Sequence, residues 1–424
     1  MMHMQRYPRL DERVYREKLS NGLDVIVLPR PGFSRKIAYF VTDFGAIHTE
    51  FTLDGQTYRV PDGIAHYLEH KMFDMPDGDV MAKFAALGAN PNAFTSYDLT
   101  AYYFSCTEHF AENLELLLQY VSTPWFTAKS VEKEQGIIGQ EIGMNEDSPE
   151  SRIFENLALA LYGKHPIRVP ILGSRESIAQ ITPELLNLCH KAFYRPGNML
   201  LCVVGDVDPE QVCRLAQKIL PARDTVSVSR TDTWQEDMVC RQSLIEARME
   251  VAMPMFYLGF KCEPLPNGEA GVRGETVGDL AAEALFGESS PLYLRLYEAG
   301  LIDSSFGGGF DTIDGMAMLT AYGDSQDPQA VKAAILEEAR RLLREGIPEA
   351  DFLRMKRSAL GCRIRDLDSF DSTCFRLCAY HLSDFDYFRF PGIYQSVQSQ
   401  EVLEFIQRVV TEPRCALSVI DPLT

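Results

Sequence analysis

The sequence predicts an α+β protein of two homologous domains, each an α/β sandwich. Strand and helix patterns follow one another in mixed order along the chain, and 424 residues suffice for two domains of about 200 residues. Both halves also end in a helix, a short turn and a hydrophobic strand, at 198–205 and 413–420. Similarity at this long period indicates duplication of a whole domain. Because strands are separated by helix pairs, we expect the helices on one face of each sheet.

In the first half, turn signals and hydrophobic periodicity predict the elements in order. β-branched and aromatic runs indicate strands at 23–28, 37–44, 101–104 and 199–204. Apolar residues at helical spacing indicate helices at 64–74, 79–87, 109–121, 130–144, 150–162, 183–193 and 208–219.

The second half repeats this scheme more weakly. A polar stretch around Trp234, residues 221–242, is the predicted linker. A strand at 255–261 and helices at 276–286 and 328–345 follow it. We therefore expect a first domain at 14–220 and a second at 243–424.

The pentapeptide at 66–70, HYLEH, is the strongest chemical signal in the chain. On a helix, His66 and His70 project from one face and can bind a single metal ion. Zinc accepts nitrogen and carboxylate ligands, and a catalytic site needs three from the protein. Glu69 lies beside them, where it can accept a proton from water at the metal. The HxxEH order is that of the inverted zincins.

Two surface histidines flanking a solvated glutamate are the alternative reading of this pentapeptide. The neighbouring residues favour a buried helix instead. Asp62, in a Pro-Asp-Gly turn, can cap the helix, and Ile64, Leu68 and Phe73 form an apolar stripe. A buried helix must satisfy its histidines and glutamate, which a metal does directly.

The third ligand is expected on the helix predicted at 130–144. Glu134 and Glu141 share a stripe of that helix but lie roughly 10 Å apart along its axis, so only one can reach the metal. We take Glu141 as the ligand and Glu134 as a carboxylate that orients water or a ligand histidine. Glu132 and Glu146 are the plainer alternatives on this helix, read as exposed acids on a solvated face, which is the usual state of glutamate.

Three segments together resemble the pitrilysin/insulinase-type zinc peptidases, which include mitochondrial processing peptidase. They are HYLEH, GANPNAFTSYDLTAYYFSC at 88–106 and VEKEQGIIGQEIGMNEDSPE at 131–150, and the likeness covers most of residues 14–220. The resemblance implies the mitochondrial processing peptidase-like metallohydrolase fold. It also implies one zinc ion on His66, His70 and Glu141, with Glu69 as the base and Glu134 assisting. The likeness is nearest to small bacterial zinc-bearing subunits that work beside a partner without zinc.

The resemblance also implies a substrate-binding segment, Asn92, Ala93, Phe94 and Thr95. In the family, a peptide adds there as a strand on a sheet edge, so that backbone pairing supplies affinity. Asn92 could hold the substrate backbone near the zinc. The alternative is an ordinary loop and strand with a turn-forming asparagine. The aromatic residues at 102–104 are expected in the core.

The chain departs from the family in its second half. Active members usually carry an arginine and a tyrosine, seven residues apart, that stabilise the oxyanion. This chain has Leu296 and Asp303 at the aligned positions, with Arg295 and Tyr297 flanking the first. Because losing an oxyanion donor typically costs ~10²–10³ in rate, we expect a homologous partner subunit to supply the pair, with a homodimer as the alternative.

The amino-acid composition argues against two classes of protein, those that bind nucleic acids and those that span a membrane. A net charge of −19 without a basic run argues against nucleic-acid binding, and no apolar stretch is long enough to predict a membrane span. Ten scattered cysteines and a polar N-terminal segment predict a cytoplasmic protein without a signal peptide. We expect a zinc metalloendopeptidase subunit that hydrolyses peptides or unfolded segments in a closed chamber. The alternative is a non-catalytic or weakly active assembly or maturation subunit that retains the zinc motif.

Overall fold

A computed structural model describes residues 2–76, 78–222, 226–230 and 234–423. Its strands run through both halves of the chain. They are β1 (His3–Tyr7), β2 (Glu12–Lys18), β3 (Asp24–Pro29), β4 (Lys36–Thr42), β5 (Glu50–Leu53), β6 (Gln56–Arg59), β7 (Asp74–Met75), β8 (Gly78–Asp79), β9 (Asn90–Thr95), β10 (Thr100–Cys106), β11 (Met199–Gly205), β12 (Val228–Arg230), β13 (Leu244–Met249), β14 (Met255–Cys262), β15 (Gly307–Ile313), β16 (Met316–Asp324) and β17 (Cys415–Pro422).

The α-helices lie between these strands, several of them in consecutive runs, and vary widely in length. They are α1 (Ile64–Met72), α2 (Val80–Ala86), α3 (Phe110–Ser122), α4 (Ala128–Glu146), α5 (Pro149–Leu161), α6 (Arg175–Ile178), α7 (Pro183–Phe193), α8 (Pro209–Ile219), α9 (Glu269–Phe286), α10 (Pro291–Glu298), α11 (Pro328–Glu345), α12 (Glu349–Arg365), α13 (Phe370–Leu382), α14 (Phe390–Ser396) and α15 (Ser399–Val409).

Two sheets share one strand order, which confirms the predicted duplication. The first has the order β1-β2-β3-β11-β4-β10-β9 and the second β13-β17-β14-β16-β15. Each sheet contains one parallel pair, which is β3 with β11 in the first sheet and β13 with β17 in the second. From that pair to the end of the strand order given above, all neighbouring strands are antiparallel. The α+β fold class with two homologous α/β-sandwich domains is therefore confirmed.

Helices cover both faces of each sheet, so the expectation of a single covered face is wrong. Leu201 and Val203 of β11 join the core that includes Leu114 of α3, whereas Cys202 between them is hydrogen-bonded to Cys374 of α13. In the second sheet, Gly259 of β14 lies so close to α5 that an added Cβ would meet the Leu161 side chain at 2.7 Å. A helix from the other half of the chain thus packs on the second face of each sheet. Local periodicity cannot reveal this exchange, because it depends on long-range packing.

The exchange also defines the two compact units of the chain. The first comprises Met1–Ile142, Pro170–Thr231 and Ile364–Phe388, and the second comprises Gly143–Val169, Asp232–Arg363 and Arg389–Thr424. The predicted linker at 221–242 includes the short strand β12, which pairs with β5, and residues 223–225 and 231–233 of it lie outside the described residues. The domain boundary placed there remains a prediction. Among the described residues, every helix is too short or too polar to span a bilayer.

Candidate metal centre

The histidine-bearing helix α1 starts at a backbone turn that only glycine adopts easily. Gly63 has φ 87°, and a Cβ there would lie 2.4 Å from the Leu172 carbonyl oxygen. The predicted side-chain cap by Asp62 is wrong, since no side chain caps this helix, and the Asp62 carbonyl instead accepts a hydrogen bond from Ser177. Tight packing against the Leu172 segment therefore sets where α1 begins.

The structure brings His66, His70 and Glu141 together from α1 and α4. One ligand atom from each lies within 4.8 Å of the others. His66 Nε2 is 3.7 Å from Glu141 Oε1, and His70 Nε2 is 3.6 Å from Glu141 Oε2. These distances are too long for hydrogen bonds. They match the separation of about 3.4 Å between ligand atoms around a tetrahedral ion with bonds of about 2.1 Å.

The protonation of the two histidines differs because their surroundings differ. Burial, reinforced by the nearby His70 ring, lowers the pKa of His66 to about 3, so its imidazole is neutral at pH 7. The His66 Nδ1 atom is buried and has no hydrogen-bond partner among the described residues. A neutral imidazole, a second imidazole and a carboxylate at this spacing fit the preferences of zinc.

Glu134 lies two turns before Glu141 and contacts the other side of His70. Its Oε1 is 3.1 Å from His70 Nδ1. This hydrogen bond lowers the pKa of Glu134 against the opposing effect of burial, and the Lys71 charge adds to it. Burial alone would lower the pKa of His70, but the Glu134 hydrogen bond and the surrounding carboxylates raise it. Glu134 therefore holds the ring of a candidate ligand, His70, from outside the candidate ligand set.

Glu69 is buried beside the histidines, and a neighbouring side chain donates a hydrogen bond to its carboxylate. Its Oε2 accepts a hydrogen bond from Thr95 Oγ1 at 2.8 Å. Burial raises the pKa of Glu69, although the Thr95 hydrogen bond and the His70 charge oppose the shift. A carboxylate with a raised pKa next to a candidate metal site is a suitable proton acceptor and donor.

The segment Asn92–Thr95 belongs to β9, the last strand of the first sheet. β9 pairs with β10 on one side, and no second partner strand occurs within the described ranges. Thr95 faces Glu69, whereas Phe94 contacts Tyr103 on the other face of the sheet. Asn92 Oδ1 accepts a hydrogen bond from the Ala93 backbone N–H. The strand therefore offers an edge whose Thr95 end lies beside the candidate centre. Tyr102 and Phe104 are in the core, as expected, whereas Tyr103 between them is only partly buried.

The two aligned positions of the second half differ in exposure. Leu296 is buried in the core of the second unit, and Asp303 is exposed and accepts a hydrogen bond from the Ser305 backbone N–H. Arg295 is paired with Glu338 at 3.5 Å, and the half-exposed Tyr297 stacks on Tyr293. The polar side chains that flank Leu296 thus have partners within their own unit.

Sequence reasoning missed two contacts of this centre. The sequence predicts a substrate-binding role for Thr95, but its hydroxyl also holds Glu69. No sequence motif points to Lys71, which is buried and pairs with Glu134. The feature that could have pointed to Lys71 is its place in the last turn of a helix that is otherwise almost entirely buried.

Known proteins resemble the chain over nearly its whole length. The family model "Insulinase (Peptidase family M16)" matches residues 56–175, and "Peptidase M16 inactive domain" matches residues 180–359. The Bacillus subtilis (strain 168) protein named "Uncharacterized zinc protease YmfH" is 38% identical over 98% of this chain and 98% of its own length.

Solved structures show the same likeness. An M16-like peptidase from Alicyclobacillus acidocaldarius has a TM-score of 0.92 and 31% identity, covering 97% of this chain and 98% of that one. Pitrilysin has a TM-score of 0.77 at 16% identity, covering 100% of this chain and 46% of that one, which is a likeness of fold alone.

Proposed function

The chain belongs to the insulinase (M16) peptidase family, and from this premise we propose that it is a zinc-dependent peptidase subunit. His66, His70 and Glu141 would hold one zinc ion per chain. The convergence of these side chains beside the buried Glu69 is the observation that carries the proposal. When bound, zinc supplies Lewis acidity that polarises water and the scissile carbonyl.

Side chains of the protein itself would transfer the proton and hold the reacting groups in position. Glu69 takes a proton from the attacking water and later delivers it to the leaving amine, and its raised pKa suits both transfers. Thr95 holds the Glu69 carboxylate in place through its hydroxyl. Glu134 holds His70 in one ring orientation.

The free edge of β9 supports a mode of substrate binding. A peptide added along Asn92, Ala93, Phe94 and Thr95 would pair its backbone with the sheet and run towards Glu69. Such pairing makes little demand on sequence, so peptides and unfolded segments are the proposed substrates.

Oxyanion stabilisation is proposed to come from a second, homologous subunit. The Leu296 side chain is buried and has no hydrogen-bond donor, and the Asp303 carboxylate would repel a developing negative charge. A partner that presents an arginine and a tyrosine would complete the centre in a closed chamber. The composition supports a cytoplasmic location for such an enzyme.

Glu69→Gln tests the proposal, because it keeps the side-chain shape but cannot accept the proton. Metal analysis should find about one zinc per chain in both proteins, while peptide hydrolysis falls by at least ~10² in the variant. Glu132→Gln, an exposed change on α4, is the matched control and should leave both quantities unchanged. Normal turnover by Glu69→Gln would contradict the assignment of the base. Zinc bound by a wild-type protein that hydrolyses nothing, with or without a partner, would favour the assembly-subunit alternative.

A further inference from the structure

Lys71 is an ammonium group in the interior of the first unit. It directly follows His70 on α1 and is 1% exposed. Burying a charge costs several kcal/mol unless hydrogen bonds and an opposite charge compensate. The neighbours of Lys71 therefore indicate what the charge does.

Three oxygen atoms surround the Lys71 Nζ atom, two as hydrogen-bond acceptors and one as an ion-pair partner. The Asp74 carboxylate is the first. The Ser130 carbonyl oxygen lies 3.3 Å away, and Glu134 Oε2 lies 3.5 Å away. Since Ser130 and Glu134 belong to α4, Lys71 ties together the two helices that carry the candidate ligands.

The Glu134 carboxylate continues this connection to a ligand. One of its oxygens faces Lys71, and the other is 3.1 Å from His70 Nδ1. The far nitrogen of the same ring, His70 Nε2, faces Glu141. A continuous chain of contacts therefore runs from Lys71 through Glu134 to the metal-facing edge of His70.

We propose that Lys71 is a positioning residue of the metal centre, which holds Glu134 against His70 and so presets the ring for zinc. This inference rests on the proposed function, because it presumes zinc at His66, His70 and Glu141. The competing explanation is structural: a cation in the last turn of α1, paired with Asp74, stabilises the helix end and has no effect on the metal.

Zinc affinity separates these explanations without any use of peptidase activity. Zinc dissociation constants would be measured by chelator competition on wild type, Lys71→Met, Glu134→Gln and the double variant. Lys71→Met should raise the dissociation constant about 10-fold, or 1.4 kcal/mol, as is typical when a group that orients a ligand is lost. In the Glu134→Gln background the same change should matter less than ~2-fold, because the two residues act as one unit.

Lys133→Met is the matched control, since it removes an exposed lysine beside Glu134 on α4 and should leave zinc affinity unchanged. The visible absorption of Co²⁺ bound in place of zinc should shift in Lys71→Met and not in the control. If Lys71→Met does not fold, Lys71→Gln replaces it, with the same order of effects expected.

An equal loss of affinity from Lys71→Met in both backgrounds would overturn the inference, and so would wild-type affinity in the single variant. Failure of the wild-type protein to bind zinc would instead overturn the proposed function, and the inference with it. A loss confined to the background that retains Glu134 is the supporting result.

Discussion

Glu236→Gln should destabilise the second unit strongly, because Glu236 neutralises a buried cation. Its side chain is 6% exposed and lies 2.7 Å from the Nζ atom of Lys261, which is itself 1% exposed. The Glu236 carboxylate also accepts hydrogen bonds from the backbone N–H groups of Gly163, at 3.1 Å, and of His165, at 2.6 Å. The amide would leave the Lys261 charge buried without an opposite charge.

Two routes give the same magnitude for this loss. Burial opposes the Glu236 charge, but the Lys261 hydrogen bond and the backbone N–H groups prevail and lower its pKa from 4.5 to about 2. At 1.36 kcal/mol per pKa unit, this shift corresponds to about 3 kcal/mol. Breaking a buried ion pair by removing one partner typically costs ~3–5 kcal/mol. We therefore expect a loss of about 3 kcal/mol at pH 7.

Thermal unfolding followed by calorimetry measures this loss. A unit of this size loses ~2–4 °C per kcal/mol, so the midpoint of the second unit should fall by ~6–12 °C. Because the folded-state pKa is depressed, the stabilisation is fully present above pH 4.5 and is lost as the pH falls towards 2. The gap between wild type and variant should therefore close over that window. Asp237→Asn, an exposed neighbour, is the control. A loss under ~1 kcal/mol, or a gap that does not change with pH, would refute the reasoning.

Three further predictions concern the metal centre and its partner. His66→Ala should abolish zinc binding, since two ligands rarely hold zinc against water, and full zinc occupancy by metal analysis would contradict the ligand set. Thr95→Val should leave zinc content unchanged but lower kcat/KM ~10-fold and move the acidic limb of the pH–rate profile to higher pH. The Thr95 hydrogen bond holds the pKa of Glu69 down, so its removal raises that pKa. An unchanged pH profile would remove Thr95 from this role. A homologous subunit that carries an arginine and a tyrosine should raise peptide hydrolysis by ~10²–10³. Ordinary turnover by the chain alone, unchanged by that subunit, would contradict the proposal that a partner supplies the oxyanion donors.

Much of the fold was predictable because local patterns specify local elements. The predicted strands at 23–28, 37–44 and 199–204 correspond to β3, β4 and β11, and the helix at 183–193 coincides with α7. The edge strands and most helices of the second half were missed. β15, for example, begins with three glycines and has no clear alternation of apolar residues.

The candidate centre was predictable for the same reason. His66, Glu69 and His70 lie within five residues, and Glu134 and Glu141 share one helix, so helical spacing determines which side chains share a face of each helix. Side-chain type then limits the chemistry to a metal with a neighbouring proton acceptor. The meeting of Glu141 with the two histidines, by contrast, depends on how α1 packs on α4.

The tertiary structure decided what depends on contacts between distant segments. Thr95 meets Glu69 because β9 lies beside α1, and Lys71 meets Glu134 because α1 packs on α4. Likewise α13, although it lies in the second half of the chain, covers the first sheet next to Cys202. The sequence alone predicted many of the elements and the candidate ligands on each helix, because periodicity and spacing act within a few turns. The partners of those ligands and the second covered face of each sheet follow from burial, which only the folded chain defines.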